Sequence, residues 1–288
     1  MSKTTAKRQT KPGKKKAVTL TAATADRHVL YERTVQNVVA EIDFIDRVYK
    51  KLRGRHASRL REDFCGTGNS SVEWVRRRLT NVAVGLDIDQ KTLDWGAARH
   101  VASLSPEEQE RVQLINRNVL KPGNAKRMDC ILAMNFSYWI FDTRALMKEY
   151  FRSVHRSLGK GGVFFLDFYG GSESILEVEE KRAMKGYTYV WEQATFNPIT
   201  NKVRCYIHFE FPDGTKMERA FRYDWRVWSL PEIRELLAEA GFGEVTVYWE
   251  GDDGKGGGNG VFRPTMKGEA CQTFVCYVVA ERDKRVLR

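Results

Sequence analysis

The sequence lacks the long hydrophobic runs of a membrane protein. Its longest uninterrupted apolar stretches, such as residues 163–166, have the length of a strand, and none approaches the roughly 18 residues that span a bilayer. No apolar segment of the secretory-signal type follows the basic residues at the N-terminus. These absences predict a chain with no membrane span and a cytoplasmic location.

Cysteine is scarce, and its spacing is not that of a disulfide-rich or zinc-binding protein. The 288 residues include five cysteines, an odd number that contains no C-x-x-C pair. We therefore interpret the cysteines as free thiols. No other cluster of metal-ligating residues is evident in the sequence, so no metal site is expected.

Acidic residues are absent before Asp26, although the chain contains 37 Asp and Glu residues in all. Few apolar residues occur in this stretch, which predicts that residues 1–25 form a disordered basic tail. Over residues 1–20 the tail is either a solvated arm or a contact for nucleic acid through counterion release. Seven basic residues supply more than half of the formal net charge of +11: Lys3, Lys7, Arg8, Lys11, Lys14, Lys15 and Lys16.

The rest of the sequence has enough apolar residues for one large core, since 42% of the chain is hydrophobic and 11% is aromatic. Between residues 26 and 170, strand-like and helix-like patterns alternate, which is typical of an α/β, doubly wound and mostly parallel sheet. The predicted strands are 58–64, 82–88, 112–115, 129–134 and 162–168, and the predicted helices are 31–52, 69–79, 91–104 and 143–158.

The pattern changes after residue 170. Residues 171–228 predict an inserted antiparallel β-meander that serves as a substrate cover or as a dimer interface, which leaves a homodimer open. Residues 229–288 are expected to complete the core sheet with a helix that starts at a Ser229 capping box and with two strands around a glycine-rich loop. The meander strands are 187–196, 202–211 and 217–228, the last two strands are 244–249 and 273–280, and the loop is 251–260.

A glycine turn follows the first predicted strand, in the segment Glu62-Asp63-Phe64-Cys65-Gly66-Thr67-Gly68. Glycines allow the backbone to approach a ligand that would otherwise meet a Cβ atom. Asp87 follows Gly68 by 19 residues at the end of the second strand, where its carboxylate can accept both hydroxyls of a ribose. The spacing predicts a site for an adenosine-containing cofactor, and by itself it suits NAD as well.

The turn resembles the E/D-x-G-x-G-x-G motif of class I S-adenosylmethionine-dependent methyltransferases, in the C-G-T-G form that is common among small-molecule N-methyltransferases. Glu62 matches the leading acid, which in that family orders the turn and holds the amino end of the methionine. Cys65, Gly66 and Gly68 keep the rest of the motif, whereas Phe64 stands where the family has its first glycine.

The resemblance continues along the next strands, in residues 85–89, 116–120 and 133–136. It implies that Asp87 binds the ribose and that Ile88 packs on the adenine. Asn118, followed by Val119, stands where the family has an Asp that accepts a hydrogen bond from the adenine amino group, and the Asn carbonyl oxygen can do the same. Met134 and Asn135 match the segment that lines the methionine and its methyl group. The resemblance thus implies a seven-stranded Rossmann-like methyltransferase sheet with S-adenosyl-L-methionine as cofactor.

Three residues are candidates for the acceptor side. Tyr31 begins the first predicted helix, as a tyrosine does in sugar and glycine N-methyltransferases, where it lies over the methionine end. Tyr138 follows the fourth strand, and His208 in the meander is the candidate base. For Tyr31 ordinary core packing is the alternative interpretation, and for His208 the alternative is a solvated sheet face.

The predicted reaction is an in-line displacement that methylates a small molecule on an amine nitrogen. Asn135-Phe136-Ser137-Tyr138 lacks the two prolines of the motif found in nucleic-acid amino-methyltransferases, which disfavours base methylation. Two alternatives stay open. One is methylation of RNA or protein aided by the basic tail, and the other is a protein that binds an adenosine ligand without catalysis.

Overall fold

The computed structural model describes residues 20–255 and 257–283. The seven basic residues of the predicted tail lie outside the described residues. The end of that tail, 20–25, is described and forms a turn rather than a disordered arm. The Ala22 N–H donates to Thr215 Oγ1 over 2.9 Å, which fixes the turn to the second half of the chain.

The described residues contain seven α-helices and twelve strands. The helices are α1 (Arg27–Thr34), α2 (Val38–Arg53), α3 (Asn69–Arg77), α4 (Gln90–Arg99), α5 (Pro106–Gln109), α6 (Arg144–Ser157) and α7 (Leu230–Glu239). The strands are β1 (Arg59–Asp63), β2 (Val82–Asp87), β3 (Val112–Asn116), β4 (Met128–Ala133), β5 (Leu158–Gly170), β6 (Val178–Met184), β7 (Tyr187–Asn197), β8 (Lys202–Glu210), β9 (Lys216–Arg226), β10 (Glu244–Asp252), β11 (Gly258–Thr265) and β12 (Phe274–Glu281). None of the described helices is long and apolar enough to cross a membrane.

Eight strands form the main sheet, in the order β3-β2-β1-β4-β5-β12-β10-β11. The first five are parallel, and β12, β10 and β11 add antiparallel pairings at the far side. The central strands are buried along almost their whole length because helices cover both faces of the sheet. The doubly wound, mostly parallel fold is therefore confirmed.

The predicted number of strands is wrong by one. The segment 251–260 was expected to be a loop, but β10 continues to Asp252 and β11 begins at Gly258, so the two strands close a hairpin. Strand β11 lies at the sheet edge and is mostly exposed. Its glycines and polar residues therefore do not show the hydrophobic alternation of a half-buried strand.

The helix predicted over 31–52 is also two helices. Helix α1 ends at Thr34, and Asn37 has a non-helical backbone with φ −127° and ψ 61° before α2 begins. Leu30 of α1 is buried in a cluster with Tyr187 and Phe209, whereas Ile42 of α2 is buried against the main sheet. The chain bends because the two apolar faces pack against different sheets.

A second, antiparallel sheet has the order β6-β7-β8-β9. The three predicted meander strands are confirmed. Strand β6 was not predicted, since its sequence VEEKRAM is charged and exposed at the edge of this sheet. The inner face of the sheet packs against the main one, where Val203, Trp225 and Val227 share a core cluster with Trp139 and Phe168. The segment 171–228 thus lies over the carboxyl ends of β4 and β5.

Helix α7 begins as the sequence predicts. The Ser229 side chain accepts the backbone N–H of Glu232, and the Glu232 carboxylate accepts the Ser229 N–H over 2.9 Å. Strands β10 and β12 then join the main sheet beyond β5. The last part of the chain therefore completes the core sheet, as expected.

Candidate active site

The glycine turn connects β1 to α3 through backbone conformations that favour glycine. Gly66 and Gly68 have φ values of 53° and 71°. Phe64, which stands at the family's first glycine, also adopts a left-handed φ of 58°. Its ring packs 5.7 Å from that of Tyr150, which supports the residue in this conformation. The departure from the motif therefore changes the side chain and keeps the shape of the turn.

Asp87 and the glycine turn are brought together at the carboxyl ends of β1 and β2. Asp87 Oδ2 accepts the Gly66 N–H over 2.9 Å, and Oδ1 accepts the Asp89 N–H over 2.9 Å. A carboxylate has about four lone-pair positions, so each oxygen can accept a further hydrogen bond. The half-buried Asp87 side chain is thus held rigidly with acceptor capacity for a diol.

Glu62 lies beneath the turn rather than at its surface. Its Oε2 accepts the Ser71 N–H over 2.9 Å and the Ser71 hydroxyl over 2.6 Å. Burial raises the pKa of the Glu62 carboxyl to about 7, because the charged form is removed from water. The hydrogen bonds tie β1 to the first turn of α3.

Close backbone packing fixes the distance between the turn and its neighbours. A Cβ atom at Gly68 would lie 2.5 Å from Leu114 Cδ2. A Cβ atom at Gly96, in α4, would lie 2.1 Å from the carbonyl oxygen of Thr67. Gly96 was not predicted as a site residue, and the only signal in the sequence is a glycine within an otherwise ordinary helix.

The residues expected at the adenine lie on the next two strand ends. Ile88 is 70% exposed, which is unusual for a large apolar side chain and leaves a face for an apolar ring. Asn118 is exposed, and its Oδ1 accepts the Leu120 N–H over 2.8 Å. This oxygen has a second lone pair for another donor. Val119 is buried in the core, so its side chain acts as support and is not exposed to a ligand.

The end of β4 carries a strained turn that faces β5. Met134 is buried, and Asn135 and Phe136 have left-handed φ values of 57° and 55°. Their backbone N–H groups donate to Asp167 Oδ2 over 2.7 Å and to Asp167 Oδ1 over 3.0 Å. Two successive non-glycine residues in this region persist only when such contacts hold them.

Asp167 lies near the end of β5 and was not predicted from the sequence. Its carboxyl is buried, and burial raises its pKa to about 8. The sequence Phe-Leu-Asp-Phe gives one signal for it, which is an acid inside the most apolar strand of the chain. A buried carboxyl with a raised pKa at a strand end is typical of a functional site.

A cavity of about 610 Å³ opens beside this turn, between the main sheet and the inner face of the antiparallel sheet. Asn135, Phe136 and Asp167 form its floor. Aromatic side chains line much of the wall, among them Tyr31, Trp139, Trp191, Tyr223 and Trp225. The volume suits a small molecule or one end of a larger one.

The three catalytic candidates from the sequence lie in different places relative to the cavity. Tyr31 lines the cavity and is hydrogen-bonded to Tyr223, and burial raises its pKa. Tyr138 is wrongly assigned, because it is fully buried and its hydroxyl donates to the Asp167 carbonyl over 2.7 Å. It therefore supports the strained turn from behind and does not face the cavity.

His208 is also placed outside the cavity. Its strand neighbours Cys205 and Ile207 line the cavity, and side chains alternate between the two faces of a strand. On the outer face, His208 Nδ1 accepts the Arg219 N–H over 3.1 Å, and Nε2 donates to Glu192 over 2.8 Å. The prediction that His208 is the base is therefore wrong, because its side chain lies on the face of the sheet that points away from the cavity.

Helix α1 links the glycine turn to the cavity. Glu32 Oε1 accepts the Thr67 hydroxyl over 2.7 Å and lies 2.6 Å from His100 Nε2. The Trp95 indole N–H of α4 donates to Asp26 over 2.7 Å. Tyr31 and Thr34 of the same short helix line the cavity. One helix therefore covers the turn and closes one side of the cavity.

Over residues 20–255 and 257–283, no group of three or more His, Cys, Asp or Glu side chains is arranged to hold a metal ion. No family model and no curated protein matches the sequence.

Solved structures do share the fold. An S-adenosylmethionine-dependent methyltransferase from Clostridium acetobutylicum ATCC 824 is 17% identical, with a TM-score of 0.65 over 88% of this chain and 96% of its own. CalS10, an amino pentose methyltransferase from Micromonospora echinaspora, is 16% identical, with a TM-score of 0.63 over 88% and 95%. KedS8, a sugar N-methyltransferase from Streptoalloteichus sp. ATCC 53650, is 16% identical, with a TM-score of 0.60 over 97% and 100%. At these identities the likeness establishes the fold: the chain has the Rossmann-like architecture of S-adenosylmethionine-dependent methyltransferases, with an antiparallel sheet beside the core.

Proposed function

We propose that the protein is an enzyme that transfers a methyl group from S-adenosyl-L-methionine to an amine nitrogen of a small molecule. We call the glycine turn and the carboxyl ends of β1 to β4 the cofactor edge. One observation carries the proposal: Asn135 and Phe136 belong both to this edge and to the cavity lining. An acceptor in the cavity would thus meet the cofactor at the strained turn. KedS8 is a sugar N-methyltransferase and CalS10 is an amino pentose methyltransferase; both have the same fold, and this favours nitrogen.

The cofactor edge fits the cofactor by its shape and donors. The left-handed Gly66 has open space at its Cβ position, with the nearest atom at 4.0 Å, so a ligand can approach the backbone there. In the proposal Asp87 accepts hydrogen bonds from the ribose hydroxyls, and Ile88 packs on the adenine. Asn118 accepts a hydrogen bond from the adenine amino group. When bound, the cofactor supplies a sulfonium with an electrophilic methyl group. Asn135 lies where the methionine portion of the cofactor would end.

The cavity residues have three tasks in this reaction. They align the acceptor nitrogen with the methyl group, exclude water, and leave the nitrogen without its proton. The aromatic wall achieves the first two by surrounding the acceptor with rigid apolar surfaces. Tyr31 on α1 contributes to the same wall and connects it to the glycine turn through its helix.

The test is a panel of small amines, alcohols and RNA incubated with methyl-labelled S-adenosylmethionine. Label in the amine fraction supports the proposal, and label only in RNA or in an alcohol contradicts it. Cofactor binding is measured separately by calorimetry. Asp87→Ala should weaken binding by about 1.5–3 kcal/mol, since hydrogen bonds to a charged group are lost.

Asp94→Ala is the matched control for Asp87→Ala. Asp94 is an exposed acid of α4 whose side chain accepts from Gln90 over 2.7 Å. It should leave cofactor affinity unchanged. Equal losses in both variants would mean that Asp87 does not bind the ribose.

Methylation of RNA or protein is the second candidate, and the observation that favours it is the row of basic residues at 3–16. Deletion of residues 1–20 separates the two candidates, because full activity of the shortened chain on a small amine would leave the tail without a role in substrate binding. A protein that binds an adenosine ligand without catalysis would bind the cofactor but transfer no labelled methyl group to any member of the panel. The cytoplasmic location, the homodimer and the division of the chain into a tail, a core and a substrate cover stay predictions.

A further inference from the structure

We propose that the acceptor enters the cavity as an ammonium cation that carries no phosphate group, and that Asp167 accepts its proton before methyl transfer. This inference rests on the proposed function. It names the class of acceptor and a catalytic residue for the same site.

The charge of the cavity wall is the first argument. Among the residues that the structure describes, four acidic side chains line the cavity, namely Glu41, Asp167, Glu180 and Glu250, against one guanidinium, that of Arg182. Recognition of a phosphate needs several N–H donors or cations directed at one point. The wall is therefore suited to a cationic ligand and repels an anionic one.

The single guanidinium is already engaged. Arg182 Nη2 donates to the Thr34 carbonyl over 2.5 Å, and the guanidinium carbon lies 5.2 Å from the centre of the Tyr189 ring. Its contacts hold β6 to the end of α1. A phosphate group in the cavity would find the remaining N–H donors of this one cation against four acidic side chains.

The aromatic lining is an independent argument for a cation. Tyr223 and Trp225 lie 4.4 Å apart between ring centres, and Trp191 lies 6.2 Å from Trp225. Phe136 and Trp139 form the adjacent floor, 5.9 Å apart. The negative faces of such rings attract an ammonium group, and the attraction strengthens when water is excluded. Rings and carboxylates thus favour the same charge from different sides of the cavity.

Asp167 is the carboxylate that is built into the floor. Both of its oxygens accept backbone N–H groups, from Asn135 and Phe136, which favours the carboxylate form and fixes its direction. Burial raises its pKa to about 8, so the group binds a proton more tightly than an exposed Asp does. The ionised form of Asp167, which predominates above about pH 8, can take a proton from an ammonium group.

The groups that face Asp167 come from several elements. They are Glu41 of α2, Tyr31 of α1, Tyr138 after β4, and Cys276 and Tyr277 of β12. None of these groups is a cation. An incoming ammonium group would therefore not be repelled by any of them. Glu41 contributes a further negative charge and raises the pKa of Asp167.

The N–H bond of the ammonium group breaks, its electron pair stays on nitrogen, and the proton passes to Asp167. The nitrogen then forms a bond to the methyl carbon while the carbon–sulfur bond breaks and leaves its electron pair on sulfur. The product is a methylated ammonium ion and S-adenosylhomocysteine, and Asp167 releases its proton to solvent.

The charge preference is tested by three probes with the full chain and S-adenosylhomocysteine: choline, its uncharged isostere 3,3-dimethylbutan-1-ol, and phosphocholine. Tryptophan fluorescence reports binding because three tryptophans line the cavity. Choline should bind about tenfold more tightly than the neutral isostere. Phosphocholine should bind more weakly than choline. Equal affinities, or a preference for phosphocholine, would overturn the proposal.

Two neighbouring acids of β6 provide a matched pair. Glu180 lines the cavity, whereas Glu179 lies 3.5 Å from Lys181 on the other face. Glu180→Gln should reduce the preference for choline over the isostere about threefold, and Glu179→Gln should leave it unchanged. The same loss in both variants would place choline outside the cavity and overturn the proposal.

The base is tested by the pH profile of kcat/KM on the amine that the panel identifies. Asp167→Asn should lower kcat by about 100-fold or more, because general-base catalysis contributes about 100- to 10,000-fold. Asp167→Glu should restore part of the loss. Unchanged kcat in Asp167→Asn would exclude this residue as the base.

Because Asp167 also holds the strained turn, Glu41→Gln serves as a second variant. Removing this charge should lower the pKa of Asp167 and move the acidic limb of the profile to lower pH. Asp43→Asn, an exposed acid of α2 paired with Arg77, should leave the limb in place. An unmoved limb in Glu41→Gln would overturn the assignment of Asp167. Absent binding of S-adenosylhomocysteine would instead overturn the proposed function.

Discussion

The cofactor edge and the acceptor cavity meet at Asn135 and Phe136 but are otherwise built from different parts of the chain. At the cofactor edge the contacts belong to the backbone: left-handed glycines, the Gly66 N–H that fixes Asp87, and the approach of Gly96 to Thr67. In the cavity the wall consists of side chains that alternate along β7, β8 and β9. An added Cβ atom at Gly68 or Gly96 would clash with a neighbour, whereas a side-chain wall can be altered one residue at a time.

The cofactor edge and the cavity therefore tolerate different kinds of substitution. Strand ends of a parallel sheet always present the same backbone groups, so a cofactor common to many enzymes can be bound there. The antiparallel sheet presents every second side chain to the cavity, and one substitution changes the acceptor surface without moving the cofactor. Substitutions at the two regions should therefore fail in different ways.

The largest effect is expected for Gly96→Ala. Its Cβ would lie 2.1 Å from the Thr67 carbonyl oxygen, and neither backbone can move without opening the glycine turn. We expect a loss of about 1–3 kcal/mol in the free energy of unfolding and a large loss of cofactor affinity. Calorimetry and urea unfolding measure the two quantities.

Gly214→Ala, in a turn of the antiparallel sheet, is the control for this variant. Gly214 has a φ of 84° but nothing within 4 Å of its Cβ position. The strain should cost about 1–2 kcal/mol of stability and leave cofactor affinity unchanged. Normal cofactor binding by Gly96→Ala would show that the edge tolerates added atoms and would remove the contrast between the two regions.

Each region contains a buried carboxyl whose pKa is raised well above its ordinary range, and these should give stability a dependence on pH. Burial raises the pKa of Glu62 to about 7 and that of Asp167 to about 8, both well above the ordinary range of a carboxyl. Between about pH 5 and 8 the folded state therefore binds more protons than the unfolded state. The free energy of unfolding should therefore fall as pH rises from about 5 to 8, by up to about 1.4 kcal/mol per pH unit for each group.

The two carboxyls can be separated by substitution. Glu62→Gln keeps an acceptor for Ser71 and should flatten the lower part of the curve, between about pH 5 and 7. Thermal unfolding in a series of buffers without cofactor measures it. Stability that rises with pH over this range would mean that both groups are ionised in the folded chain.

The sequence predicted the cofactor edge better than the cavity for a physical reason. A glycine turn and an acid at the next strand end are local features, and their residues are brought together by consecutive parallel strands. Asp167 and Glu41 lie 126 positions apart in the sequence and meet only through the packing of α2 on the sheet. No local pattern marks such a pair.

Burial and strand alternation account for the corrections. Tyr138 follows β4, as the sequence predicts, but the strained turn directs it inward to the Asp167 carbonyl. The bend after α1 was missed because its residues continue a helical spacing, and only the presence of two sheets separates them. Strands β6 and β11 were missed because edge strands need no hydrophobic alternation.

A smaller effect is expected from the cavity wall. Trp191→Leu removes one aromatic face and should raise KM for the amine about fivefold, while cofactor affinity stays the same. Tyr206→Leu is the control, since Tyr206 lies on the outer face of β8 beneath the Arg219 guanidinium at 4.8 Å. A change in cofactor affinity in Trp191→Leu would show that the two regions are not independent.

The smallest effect is expected for His208→Gln. Nδ1 and Nε2 of His208 are both occupied, by the Arg219 N–H and by Glu192, and Gln can replace one of these contacts. A partly buried residue on the outer face should change stability by about 1 kcal/mol or less. The value of kcat and its pH profile should stay as in the parent chain. A tenfold loss of kcat would instead require that the outer face of the antiparallel sheet takes part in the reaction, and the division between a polar outer face and an acceptor-binding inner face would fail.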